Sequence, residues 1–227
     1  MKIKTFIASM LLMACLSAVA QVKPIVAILG DSYSTFEGFV PEGHAVWYKK
    51  PASLDRTDVT KVEQTWWWQV VKEGGYKLGL VNSYSGATVC NTGYKGVDYT
   101  DRSFLTRATK LGNPDIILIC GATNDSWANS PIGDYKYADW TGTDLYSFRP
   151  AMAKMLNDMQ EHYPNVDIYF ILNSELKDEI NASVEEICRH YNVQLVKLKD
   201  IDKMKGHPSV KGMKSFAQQV LKAMKKK

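Results

Sequence analysis

Histidine is scarce in this chain. Only four occur, at His44, His162, His190 and His207, so a reaction that needs an imidazole base must use one of these. Cysteine is as rare. Cys15 lies in an N-terminal apolar segment, which leaves Cys90, Cys120 and Cys188. Three residues without metal-ligand spacing exclude a disulfide-dense scaffold and give no sign of a thiolate metal centre. One disulfide among them stays open. Cys120, inside "DIILICG", reads as a small core residue. Beyond residue 20 there is no apolar run long enough to span a bilayer. The formal net charge is +4, but Lys2, Lys4, Lys222, Lys225, Lys226 and Lys227 sit at the two ends. No basic stripe with interleaved aromatics is present, so nucleic acid is not an expected partner. A Gly-rich phosphate loop is also missing, because "GDSYSTFEG" follows the earliest β-like run.

What is present begins with a leader. "MKIK" is a charged n-region, "TFIASMLLMACL" is an apolar h-region, and Ala18-Val19-Ala20 is a small-x-small cleavage pattern. Together they predict a secretory signal peptide over residues 1–20, cleaved after Ala20, and a secreted or periplasmic protein. Two other readings use the same segment: an uncleaved anchor, and lipid attachment at Cys15, for which Met13 is an unusual neighbour.

Residues 21–227 have the size of one globular domain, and 45% hydrophobic content against 23% charged supports a full core. Short apolar runs at Ile25–Leu29, Leu78–Asn82, Asp115–Cys120, Asp167–Leu172 and Val193–Leu198 predict strands buried on both faces. Helical patterns fall between them: one from a capping box at Thr60–Glu63, then Ser103–Lys110, Ser147–His162, Lys177–Tyr191 and Ser209–Met224. In the helix after Thr60, Trp66, Trp67, Val70 and Val71 face inward, and one tryptophan of "WWW" falls near the boundary. This alternation predicts an α/β domain with about five parallel strands, whose ligands bind beyond the strand carboxyl ends. Two long aromatic-rich stretches, Tyr33–Val59 and Asp125–Tyr146, leave those ends and are candidate binding loops. In them Trp47 and Trp127 are candidates for stacking on a sugar or acyl group.

Ser32 ends the earliest strand. A serine is a weak nucleophile at neutral pH unless a base lies within hydrogen-bond reach. His162 and His190 fall near helix C-termini, where a cation suits the dipole, and His44 lies in a Gly-rich loop. His207, in "KGHPSVKGM", precedes the last helix on the same sheet edge as Ser32, so it is the expected base. Gly86 in "NSYSGAT" and Asn124 in "CGATNDSW" also leave strand ends. With the Ser32 N–H they offer donors for an oxyanion. Asp31 and Asp125 read as loop-shaping residues.

The sequence blocks "GDS", "SGAT", "GATND" and "GHP" span residues 30 to 208 in order. They resemble the four blocks of the SGNH hydrolases, the GDSL esterase/lipase family. The resemblance implies a three-layer α/β/α flavodoxin-like fold and hydrolysis of esters, often acyl groups on carbohydrates or lipids, with no metal or cofactor. It makes Ser32 the nucleophile and His207 the general base. The Ser32 N–H, the Gly86 N–H and the Asn124 side chain become the oxyanion hole. One departure stands out. The family usually carries an acid three residues before the histidine, where this chain has Met204. Asp202 is the nearest acid and Asp200 the next, and a backbone carbonyl is the alternative partner for His207. The expected function is a secreted serine esterase acting on small acyl groups, acetyl foremost, of carbohydrates. A non-catalytic glycan-binding protein on the same fold and a lipase- or thioesterase-type acyl hydrolase are the other readings.

Overall fold

The computed structural model describes residues 22–225, so the leader and its cleavage site lie outside the described residues. Five parallel strands form the sheet: β1 (Ile25–Gly30), β2 (Lys77–Ser83), β3 (Ile116–Gly121), β4 (Asp167–Leu172) and β5 (Gln194–Lys197), in the order β2-β1-β3-β4-β5. Around it lie α1 (Trp66–Glu73), α2 (Phe104–Arg107), α3 (Thr123–Ala128), α4 (Phe148–His162), α5 (Asp178–His190) and α6 (Val210–Met224). A two-residue pair, β6 (Lys203–Met204) and β7 (His207–Pro208), makes a small antiparallel hairpin before α6. Among the described residues no helix is long and apolar enough to cross a membrane.

Alternating side chains feed two cores, which is why the central strands β1 and β3 carry no polar side chain at any position. Val26 and Ile28 of β1 join Leu118, Trp66, Trp67 and Phe216 on the α1/α6 face. Ala27 and Leu29 join Ile117, Phe104, Phe148 and Leu156 on the α2/α4/α5 face. Trp66 lies flat on Phe216, 4.5 Å between centroids and 4° between planes, and so locks α1 to α6. Burial of a side chain such as Phe216 contributes about 1.5–3 kcal/mol. Trp68 is the boundary tryptophan, only partly buried.

Several local expectations change. The chain does not enter a helix at Thr60. Gln64 turns back instead, and its side-chain oxygen accepts the N–H groups of Thr60 (2.7 Å) and Lys61 (2.9 Å). A single 3-10 turn results, and α1 starts at Trp66 after extended Thr65. The helix expected over 103–110 closes only one turn, Phe104–Arg107, capped by Ser103. Asp125, expected in a loop, falls in the short helix α3. Cys90, Cys120 and Cys188 are all free and buried.

The strand order reverses between β1 and β3, since the chain builds β2 on one side of β1 and then crosses to the other. Crevices at such switch points bind ligands in open α/β sheets. Gly30 is in register with Ser83 of β2 and Cys120 of β3. The turns after all three strands therefore lie side by side.

Candidate active site

Gly30 is required by close approach: a Cβ there would meet Ser34 at 2.5 Å and the Ser83 hydroxyl at 2.7 Å. The chain then turns once, Ser32–Ser34, with Asp31 Oδ1 accepting the Tyr33 N–H at 3.0 Å. The turn leaves Ser32 at the sheet edge, 3% exposed. Its Oγ lies 2.9 Å from His207 Nε2.

The histidine comes from the β6–β7 hairpin. Lys205 (φ 48°) and Gly206 (φ 79°) form its two-residue turn, and positive φ at both positions is the mark of a type I′ turn. This geometry explains the departure at position 204. Met204 lies directly across the hairpin from His207, and the Lys205 carbonyl folds back to 3.1 Å from Nδ1. A carbonyl only accepts, so Nδ1 carries the proton and Nε2 presents its lone pair to Ser32. Asp202 is not brought to the imidazole. Its carboxylate accepts the Ser209 hydroxyl, and its carbonyl accepts the Ser209 N–H. Ser209 in turn caps α6 by accepting the Gly212 N–H.

Two buried tyrosines pin the hairpin from the β1 side. The Tyr33 hydroxyl donates to the Gly206 carbonyl (2.6 Å) and the Tyr48 hydroxyl to the Pro208 carbonyl (3.0 Å). Trp47 stacks on the imidazole at 3.5 Å and 8°. Burial above all, with smaller contributions from the Arg56 and Lys203 charges, lowers the His207 pKa to about 4 against the raising effect of the Lys205 hydrogen bond. The ring is thus a neutral acceptor over most of the pH range.

The candidate oxyanion donors converge on the same edge. Gly86 has φ +86°, a conformation open to glycine. Neither its N–H nor that of Ser32 donates to another described residue. One hydrogen of Asn124 Nδ2 goes to the Ala87 carbonyl at 3.0 Å, which leaves the other free. Asp125 ties this loop to α3 by accepting the N–H groups of Val89 (2.8 Å) and Cys90 (3.2 Å). Burial raises its carboxyl pKa to about 6 and that of Asp31 to about 7. Arg107 closes the floor, donating to the carbonyls of Gly30 (3.2 Å) and Asn82 (2.5 Å).

Tyr94 is a residue the sequence reading missed. Its hydroxyl donates to Asn124 Oδ1 at 2.8 Å, which fixes the amide with its oxygen towards Tyr94 and its nitrogen towards the Ala87 carbonyl. No motif marks it, and it arrives from a loop between β2 and α2. Tyr94→Phe is expected to lower kcat about tenfold with KM little changed, the loss of roughly one oriented hydrogen bond. Steady-state kinetics on an activated ester would read this, and an equal rise in KM would instead mark a binding role.

None of the other three histidines makes a hydrogen bond to Ser32. His44 Nδ1 meets the Ser83 carbonyl at 3.0 Å, His190 stacks on Tyr137, and His162 packs edge-on to Tyr163. Trp47 has both faces occupied, by His207 and by the Arg56 guanidinium at 4.1 Å. Trp127 meets His207 edge-on at 6.0 Å and stays 41% exposed. Among the described residues no group of three or more His, Cys, Asp or Glu side chains converges to hold a metal.

No curated protein matches the chain. The solved structure of a candidate GDSL-like lipase from Bacteroides ovatus is similar over 91% of this chain and 100% of its own, with 57% identity and a TM-score of 0.89. A second such protein, from Bacteroides uniformis, is 51% identical over 92% of this chain and 98% of its own, also with a TM-score of 0.89. A family two carbohydrate esterase from Clostridium thermocellum, solved with cellohexaose, shares the fold alone: 15% identity, 90% of this chain, 64% of its own, TM-score 0.61. The family model for GDSL-like lipase/acylhydrolase matches residues 24–224, the span that carries the serine turn, the glycine and asparagine turns and the histidine hairpin. The chain belongs to the GDSL-like lipase/acylhydrolase family, a family of ester hydrolases.

Proposed function

We propose that the protein is an exported serine esterase that removes small acyl groups, acetyl foremost, from carbohydrates. The observation that carries this reading is the Ser32 Oγ–His207 Nε2 contact of 2.9 Å, with Nδ1 held by a carbonyl. In the proposed reaction Nε2 takes the Ser32 proton as Oγ attacks the ester carbonyl. The oxyanion is held by the Ser32 and Gly86 N–H groups and by Asn124 Nδ2. The imidazolium then returns its proton to the leaving alkoxide. Water reverses the sequence on the acyl-enzyme, with His207 again as base. Ser32 and His207 act as a dyad, and the Lys205 carbonyl does the orienting that a carboxylate does in a triad.

The carbohydrate part of the reading draws on two supports. Trp127 offers a half-exposed aromatic face beside the dyad, a surface suited to the apolar face of a sugar. The Clostridium thermocellum neighbour is a carbohydrate esterase on the same fold. Hydrolysis of p-nitrophenyl esters of rising chain length, run beside acetylated xylan, is the test. Turnover is expected to fall beyond the shortest acyl groups and to include the polysaccharide. A preference for long chains would favour a lipase instead.

A further inference from the structure

We propose that Arg56 binds a carboxylate on the sugar portion of the substrate, so that the preferred substrates are acylated acidic glycans. This rests on the esterase reading above. The guanidinium carbon of Arg56 lies 4.1 Å from the centre of the Trp47 ring. The imidazole of His207 covers one face of that ring, parallel to it at 3.5 Å, so Arg56 occupies the other. A fixed cation therefore stands one indole layer from the base. A group on the sugar being deacylated, or on the adjoining one, can reach it.

Arg56 is also free to bind. It is exposed, and among the described residues no carboxylate pairs with it and no acceptor takes a guanidinium N–H. The acids nearby are directed elsewhere or unpaired. Asp58 accepts the Val210 N–H at 2.9 Å, Asp202 accepts the Ser209 hydroxyl, and Asp55 makes no ion pair with Arg56. Lys203 is paired with Glu175 at 2.9 Å. The indole holds the charge of Arg56 in place while leaving an N–H edge for a ligand. A planar fork matches a carboxylate through two parallel hydrogen bonds. The positive field is felt at the site itself, since Arg56 and Lys203 both disfavour the protonated imidazole.

A matched pair of substrates tests this: an acetylated oligogalacturonide with free carboxylates, and the same oligosaccharide with its carboxylates methyl-esterified. The wild-type protein is expected to show about tenfold higher kcat/KM on the free acid, carried by KM, as one charged hydrogen-bonded contact supplies. The ratio should fall towards one in Arg56→Gln, hold in part in Arg56→Lys, and shrink for the wild type as salt is raised to about 0.5 M. Equal rates on the pair, or a ratio that survives in Arg56→Gln, would overturn the Arg56 assignment alone. So would turnover of p-nitrophenyl acetate with neither glycan. Failure on all three substrates would remove the esterase reading and this inference together.

Discussion

Replacing Ser32 by alanine is expected to lower turnover of p-nitrophenyl acetate by about ten-thousand-fold or more, with the thermal transition unchanged. The size follows from the role: losing the nucleophile removes the covalent route and leaves only binding and the oxyanion donors. The unchanged fold follows from the contacts. The Ser32 side chain makes one hydrogen bond, to His207. Its carbonyl, which accepts the Thr35 hydroxyl at 3.0 Å and the Thr35 N–H at 3.3 Å, is untouched by the substitution. Unchanged turnover in Ser32→Ala would refute the nucleophile assignment.

The second large effect is at His207, and it is read against Asp202. His207→Ala is expected to cost a comparable factor in kcat, because among the described residues no other base bonds Ser32. Asp202→Ala is expected to leave kcat within about threefold, because the carboxylate bonds Ser209 and not the imidazole. Its loss should appear as a small drop in stability, about 0.5–2 kcal/mol, through the weakened α6 cap. The pH profile adds a third reading. The base works when neutral, and its pKa is lowered from 6.5 to about 4. The acid limb of kcat/KM should therefore fall near pH 4, with activity kept at pH 5 to 6. An acid limb at 6.5, or collapse of kcat in Asp202→Ala, would restore a carboxylate-supported imidazole.

Much of the fold and the blocks of the site were legible because each rests on a local pattern. Both parities of "IVAILG" and "IILICG" are apolar, and runs this short and rich in β-branched residues suit strands covered on both faces. The parallel order then carries Ser32, Gly86, Asn124 and His207 to one edge, although they are spread along the chain. The helix ends were less legible. At Thr60 the acid at position 63 suggested a capping box, but the neighbouring Gln64 took the two free N–H groups. A backbone carbonyl was legible as the alternative to Asp202 beside His207, but which carbonyl was not. Every residue has a carbonyl, so the Lys205 acceptor carries no sequence mark. Only the turn of Lys205 and Gly206 at positive φ aims it at Nδ1. Trp47 was legible as a loop aromatic but not as the layer between Arg56 and His207, which depends on where two distant segments meet.

The most direct test of the central claim is covalent capture. The protein is treated with a fluorophosphonate, and intact mass and peptide mapping follow. The dyad predicts a single adduct on Ser32, its formation lost in Ser32→Ala, strongly slowed in His207→Ala and little changed in Asp202→Ala. An adduct on another residue, or no adduct in a preparation that hydrolyses p-nitrophenyl acetate, would contradict it.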